Sequence, residues 1–319
     1  MSRPAPRIDR QLIVRILGTV GSLALLVYLL RQQGWNEIVS AFQRIPVASL
    51  LAVVVLLAVS RMAITARWYS LLHTTDPSIP FRESLRLTLA GLFAANFLPT
   101  SVGGDVVRLA GVLKLSKNRA GGAASIVADR LVGLAGMAMV LPFGLRDLLV
   151  WLQRSSPGLG LAGPAILGLA QERVPPRWKA LFLRLRRGVE KVAGAMRVWV
   201  QHPRALLVAL FFTWIHMTCL FTEIWLLLRG MGETASPITI AGLWSLSYFI
   251  TLIPFSINGL GLREVSVTYI FSELGGVSLQ AALTLALILR TMDMLVSLPG
   301  AALVSGVVTD WSARRQEQG

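Results

Sequence analysis

A ten-residue pattern that interrupts apolar sequence occurs twice in this chain, 155 positions apart. One copy reads Pro99-Thr-Ser101-Val-Gly103-Gly104-Asp105-Val-Val-Arg108, the other Pro254-Phe-Ser256-Ile-Asn258-Gly259-Leu-Gly261-Leu-Arg263. Aligned without gaps, proline, serine, one glycine and the arginine coincide. A helix breaker, a flexible turn and a guanidinium are costly inside lipid, where every backbone polar group needs a partner. Their repetition points to two equivalent half-sites in a transport-type membrane fold, with broken helices meeting near the bilayer midplane.

The rest of the chain suits that environment. It is 54% hydrophobic and 15% charged, with a mean hydropathy of +0.64. Several apolar runs reach the roughly 20 residues that a spanning helix needs. They are continuous rather than alternating, which excludes a β-barrel. The expected class is an all-α, polytopic integral membrane protein.

A formal charge of +15 would suggest nucleic acid in a soluble chain. Here the bases cluster between apolar runs, as the positive-inside bias and contact with anionic lipid require, so no nucleic-acid partner is expected. The single cysteine, Cys219, lies in an apolar run and excludes an intramolecular disulfide. The arginine-rich N-terminus followed by apolar sequence resembles a secretory leader, but no small-residue cleavage site follows. It reads as a retained first helix.

The runs at 12–30, 47–69, 122–145, 147–170, 205–228 and 279–307 make six expected spans. The fourth is weak, being interrupted by Arg154, Pro157 and Pro164. Shorter runs lead into and out of each broken motif, giving hairpins over about 84–115 and 239–273. Basic residues crowd the N-terminal arm, 67–86, 108–130, 172–204 and the tail, and the other connections are nearly balanced. The basic set should be cytoplasmic. The first hairpin then opens inward and the second outward, as an inverted repeat requires, and both termini are cytoplasmic.

One transmembrane domain is expected over 1–319, with halves 1–171 and 205–319. Between them, 177–200 has apolar residues such as Trp178, Phe182, Leu185 and Trp199 at helical spacings, with Lys179, Arg184, Arg186, Arg187 and Lys191 opposite. This reads as an amphipathic helix, either on the cytoplasmic leaflet or as a packed linker between the halves.

Charges inside apolar sequence are the candidates for chemistry. A charge at the bilayer centre costs a few kcal/mol on insertion scales, so it pairs or lines a wet cavity. Asp105, Arg108, Asp129 and Arg130 fall in the first half, and Arg263, Glu264, Arg290 and Asp293 in the second. Asp105/Arg108 and Arg290/Asp293 are each three apart, on one helical face. Intrahelical ion pairs and snorkelling arginines explain such pairs without a substrate. The recurrence of Arg108 and Arg263 at one offset from a broken turn argues for more. Gly103-Gly104 and Gly259-x-Gly261 allow a sharp turn, and a helix start beside an arginine suits phosphate or carboxylate.

Gly158-Leu-Gly160-Leu-Ala-Gly163 spells a dinucleotide fingerprint, but no strand precedes it, and close helix packing explains it better. His73, His202 and His216 are scattered without metal-ligand spacing, so no metal is expected, and no other cofactor either. His216 and Glu223 share a span and fit either a proton relay or polar groups satisfied by neighbouring helices.

At Asn96-Phe-Leu-Pro99 through Arg108, Asp129-Arg130, Pro254 through Glu264, and Arg290, the chain resembles the transmembrane domain family of the lysylphosphatidylglycerol synthetases. The resemblance covers essentially the whole chain. In two-domain members this domain is taken to flip an aminoacylated phospholipid made by a soluble C-terminal domain. Here the sequence ends about a dozen residues after the last run. The resemblance thus implies lipid handling without aminoacyl transfer, and the second motif departs from the family in having Asn258 where glycine is commoner.

The leading expectation is a lipid translocator of a bacterial inner membrane, more a transporter than an enzyme. It would bind an anionic or aminoacylated phospholipid, or a lipid-linked envelope precursor. Arg108 and Arg263 would contact the anion within turns built from Ser101, Gly103, Gly104, Ser256, Asn258, Gly259 and Gly261. Asp105 and Glu264 would orient them or discriminate cationic headgroups, and Asp129, Arg130, Arg290 and Asp293 would line or brace the cavity. The alternatives are a membrane transferase acting on a lipid-linked donor, with Asp105 or Glu264 as base, and a non-transporting scaffold for envelope-synthesis enzymes. Energy source and oligomeric state are not legible.

Overall fold

A computed structural model describes residues 35–97, 103–155, 199, 201–252 and 261–303, with a few positions in 20–31. Every described element is a helix. In order they are α1 (Trp35–Gln43), α2 (Val47–Thr75), α3 (Phe81–Phe97), α4 (Gly103–Leu115), α5 (Arg119–Ser155), α6 (Pro203–Gly230), α7 (Pro237–Thr251), α8 (Leu262–Glu273) and α9 (Leu279–Ser297). Among the described residues, four helices are long and apolar enough to cross a membrane: Val47–Thr75, Arg119–Arg154, Pro203–Gly230 and Leu279–Leu303. Leu51, Val55, Leu207, Phe211 and Leu149 stay exposed on them, as lipid-facing side chains do. The chain is a multi-pass membrane protein.

The helix boundaries follow from local sequence. Pro203 and Pro237 occupy first-turn positions of α6 and α7, where a missing N–H costs nothing. Ser236 and Ser278 cap α7 and α9, accepting from the Thr239 and Ala281 amides at 3.1 and 3.3 Å. Glu233 holds the second cap in place by accepting from the Ser278 hydroxyl at 2.6 Å.

One sequence expectation changes here. The runs at 122–145 and 147–170 are not separated at residue 146, because α5 continues as one 37-residue helix through Pro142 to Ser155. At about 1.5 Å per residue that is about 55 Å, well beyond a hydrocarbon core of about 30 Å. The remainder, 156–170, lies outside the described residues, as do most of the 12–30 run and all of 177–198.

The same order of elements, long helix, two short helices, long helix, runs from α2 to α5 and again from α6 to α9. Among the described helices, α2 and α6 make the most extensive contact. The short helices pack in pairs, α3 on α4 and α7 on α8, and each half reaches across to the other: α5 packs on α7, and α9 on α3. Glycines make these crossings close. A Cβ on Gly104 of α4 would lie 2.6 Å from the Gly91 carbonyl oxygen of α3, and one on Gly144 of α5 would lie 2.2 Å from that of Gly242 on α7. The main apolar core, including Met217, Ile224, Leu243, Phe271 and Leu285, joins α6 to α9 with α2 and α5.

Candidate functional site

Against this apolar background, ten charged side chains gather in two groups. In the first, Asp129 of α5 is fully buried and accepts from two arginines on different helices. Arg67 Nε of α2 lies 2.7 Å from one carboxylate oxygen and Arg108 Nη2 of α4 lies 3.0 Å from the other. Arg108 is also 3.7 Å from Asp105 on its own helix, and its guanidinium stacks 4.0 Å from the Trp68 ring centroid. Asp105 in turn accepts from Arg130 Nε at 2.8 Å.

The second group repeats that arrangement. Asp293 of α9 accepts from Arg263 Nη1 of α8 at 2.9 Å and, through its other oxygen, from Arg61 of α2. Arg263 lies 5.4 Å from the Trp244 ring centroid. Arg290 and Glu264 face each other at 3.7 Å. In each half, then, the arginine that follows the broken motif is held by an aspartate on a long helix, beside a tryptophan. A carboxylate between two guanidiniums leaves a net positive charge, and the desolvation of three ions is offset only by such close pairing.

Two adjoining cavities open between the groups. The first, about 230 Å³, is lined by Arg61, Arg67, Arg108 and Arg130 with Asp105 and Asp129. The second, about 440 Å³, is lined by Arg61, Arg130 and Arg263 with Glu223 and Asp293. Arg61, Arg130, His216 and Tyr248 belong to both. Each cavity carries more arginines than carboxylates. The donor atoms Arg61 Nε, Arg108 Nε and Arg290 Nη2 are buried and have no hydrogen-bond partner among the described residues.

The sequence candidates fall out unevenly. Asp105, Arg108, Asp129 and Arg130 converge on the first cavity, with Gly104 in its wall. Arg263 and Asp293 line the second, whereas Arg290 and Glu264 line neither cavity and face each other. Asp105 and Glu264 were expected to orient the two motif arginines, but Asp129 and Asp293 are the closer partners. The Arg290/Asp293 spacing does not produce an intrahelical pair, because each residue turns to another helix. Gly103 and Gly104 lie within α4, and Gly104 serves the close approach to α3. In the second copy the helix starts later, at Leu262, after Gly261 with φ +75°, a conformation that favours glycine. Ser101, Ser256, Asn258 and Gly259 lie outside the described residues.

Sequence reasoning missed Arg61 and treated Arg67 as part of a loop. Both lie on α2, a helix long and apolar enough to cross a membrane, and that apolar context was the available signal. The orientation count weakens accordingly, since Arg67, Arg108 and Arg130 are site residues rather than loop charges. Lys117, Arg82 and Arg86 remain beside the connections that follow α2 and α4.

Those connections are tied together by Asp76, a buried residue just past α2. Its carboxylate accepts from Ser78 Oγ at 2.5 Å, Ser116 Oγ at 2.6 Å and the Lys117 amide at 2.8 Å. The Ser116 and Ser78 hydroxyls hold it well below the usual carboxylate range. The clamp ties the end of α2 to the residues between α4 and α5.

Among the described residues no group of three His, Cys, Asp or Glu side chains is placed to hold a metal ion. Residues 15–300 match the family model described as the lysylphosphatidylglycerol synthase TM region. No curated protein matches the chain.

Proposed function

The chain belongs to the lysylphosphatidylglycerol synthase TM-region family, and we propose that it binds the anionic headgroup of a lipid in the paired arginine cavities and carries it across the membrane. The observation that carries this reading is the surplus of guanidinium over carboxylate in both cavities, with buried donor atoms left unpaired. Buried donors without partners are costly, and a phosphate with several acceptor oxygens satisfies them in bidentate fashion.

The two halves act as an inverted repeat. Helices α3, α4, α7 and α8 have 17, 13, 15 and 12 residues. Those lengths correspond to about 18–26 Å, short of a hydrocarbon core of about 30 Å. Each pair is a re-entrant hairpin, one opening inward and the other outward, with both termini in the cytoplasm of a bacterial inner membrane. Arg108 and Arg263 contact the headgroup from the two sides, with Asp129 and Asp293 holding them in place. Arg61 and Arg67, six positions apart on one rigid helix, connect the two sites. A scaffold of envelope-synthesis enzymes would not need this buried charge.

The bound-lipid profile of the purified protein tests the reading. Native mass spectrometry should show anionic phospholipid or lipid-linked phosphate enriched over the host membrane. Arg263→Gln, expressed to the same level, should lose that enrichment. An identical profile for both proteins would overturn the assignment.

A further inference from the structure

His216 and Glu223 lie two turns apart on α6, and the structure treats them differently. His216 is satisfied, with its Nδ1 2.7 Å from Ser60 Oγ of α2. Glu223 is 2% exposed, lines the second cavity, and has no hydrogen-bond or ion-pair partner among the described residues. Asp105, Asp129, Asp293 and Glu264 each have an arginine within 4 Å. Glu223 alone among these acids does not.

Its surroundings are not empty of charge. Asp293 of α9, Arg61 of α2 and Arg263 of α8 act on it electrostatically. Arg130 of α5 and Tyr248 of α7 share its cavity, and Cys219 is one turn away on its own helix. Both nearby arginines are already engaged by Asp293. A buried carboxylate that is denied a counterion carries a proton or takes up a cation.

Charge balance indicates what such a proton does. The first cavity has four arginines against two aspartates. The second has three arginines against two carboxylates when Glu223 is ionised. With a proton on Glu223, the positive excess of the second cavity rises to that of the first. An anion entering the second cavity is therefore held more tightly when Glu223 is protonated, and by linkage the anion favours protonation to the same degree.

We propose that Glu223 is the proton-binding group of the second cavity, so that an anionic phosphate headgroup and a proton occupy it together. The inference rests on the anion-binding reading above and supplies it with a coupling ion. Protonation is a simple transfer from water to the Glu223 carboxylate, and no covalent bond to the lipid changes.

The test is calorimetric titration of the detergent-solubilised protein with dioctanoyl phosphatidylglycerol, a diester that does not itself titrate near neutrality. Sulfate serves as the free-anion probe. Each titration is run in buffers of different ionisation heat, which counts protons taken up per anion bound. The wild-type protein should take up a proton on binding in neutral to mildly alkaline buffer. Its affinity should rise about 5- to 150-fold toward mildly acid buffer, the range usual for two coupled sites. Glu223→Gln should bind with the tight, acid-type affinity throughout and take up no proton. Proton uptake with the lipid alone assigns the site to a headgroup, and uptake with sulfate too assigns it to anions generally; either supports the proposal.

Binding by the wild-type protein without proton uptake overturns the proposal and leaves the anion site standing. Sodium-dependent, pH-independent binding also overturns it, replacing the proton with a metal cation. No binding of either probe at any pH overturns the anion site and the proposal together. Infrared titration gives a second readout on the wild-type protein: a protonated-carboxyl band should be present and absent in Glu223→Gln. Its absence from the wild-type spectrum throughout the range contradicts the assignment.

Discussion

Replacing Asp129 with asparagine should destabilise the protein far more than the same change at Asp105. The Asp129 side chain is 2% exposed and accepts from Arg67 at 2.7 Å and from Arg108 at 3.0 Å. Asparagine has nearly the same shape, but one of its two polar groups is a donor that would face a guanidinium N–H. Two cations then lose their shared counterion, and Arg108 keeps only Asp105 at 3.7 Å. Removing one partner of a buried pair costs about 3–5 kcal/mol. Asp105 is engaged chiefly by Arg130, whose side chain is 56% exposed, so its replacement should cost about 0–1 kcal/mol. Unfolding in mixed micelles titrated with an ionic detergent and followed by circular dichroism measures both. Adding Arg67→Met to Asp129→Asn should recover part of the loss by removing one stranded cation, a non-additivity typical of groups in direct contact. An Asp129→Asn variant within about 1 kcal/mol of wild type, or an Asp105→Asn variant that costs more, would show that Asp129 is not the shared counterion of Arg67 and Arg108.

Other perturbations probe the packing, the clamp and the shared wall of the cavities. Gly104→Ala places a methyl 2.6 Å from the Gly91 carbonyl and 3.0 Å from Ala95 Cβ, so α3 and α4 must separate; a markedly lower thermal midpoint is expected, and an unchanged one would count against that contact. Asp76 ionises more easily in the folded protein than in the unfolded chain. The stability it adds is fully present above its unfolded value of about 4 and is lost as pH falls below it. Asp76→Asn should flatten that part of the pH–stability profile, and an unaltered profile would contradict the clamp. Arg61→Gln should weaken phosphatidylglycerol binding because Arg61 borders both cavities, whereas Arg86→Gln, on an exposed helix face, should not; equal losses in a direct binding assay would deny Arg61 its role.

The membrane class and most of the charged residues were legible from hydropathy and the repeated motif, because an arginine in an apolar run stands out in a single sequence. Partner choice was not legible. Asp129 and Asp293 meet Arg108 and Arg263 through contacts between helices, and a three-residue spacing such as Arg290 to Asp293 only says that two side chains share a face. Arg67 was misread for a related reason, since the end of an apolar run does not mark the end of a helix, and α2 continues six residues beyond position 69 to Thr75. The uninterrupted α5 shows the converse: Arg146 and Asp147 interrupt hydropathy without interrupting backbone hydrogen bonding. Glu223 could be picked out as an oddity in sequence, but its lack of a partner emerges only when α2, α8 and α9 are assembled around it.

Leaflet exchange reads out lipid transport itself. Purified protein would be reconstituted into sealed phosphatidylcholine vesicles containing labelled phosphatidylglycerol, with the outer-leaflet label followed by chemical quenching and the lipid analysed afterwards by mass spectrometry. The protein should make inner-leaflet label accessible without changing the lipid, and Arg108→Gln and Arg263→Gln, folded and inserted equally, should each abolish the exchange. Exchange that persists undiminished in both variants, or label that stays protected while a new lipid product appears, would contradict transport through the arginine cavities.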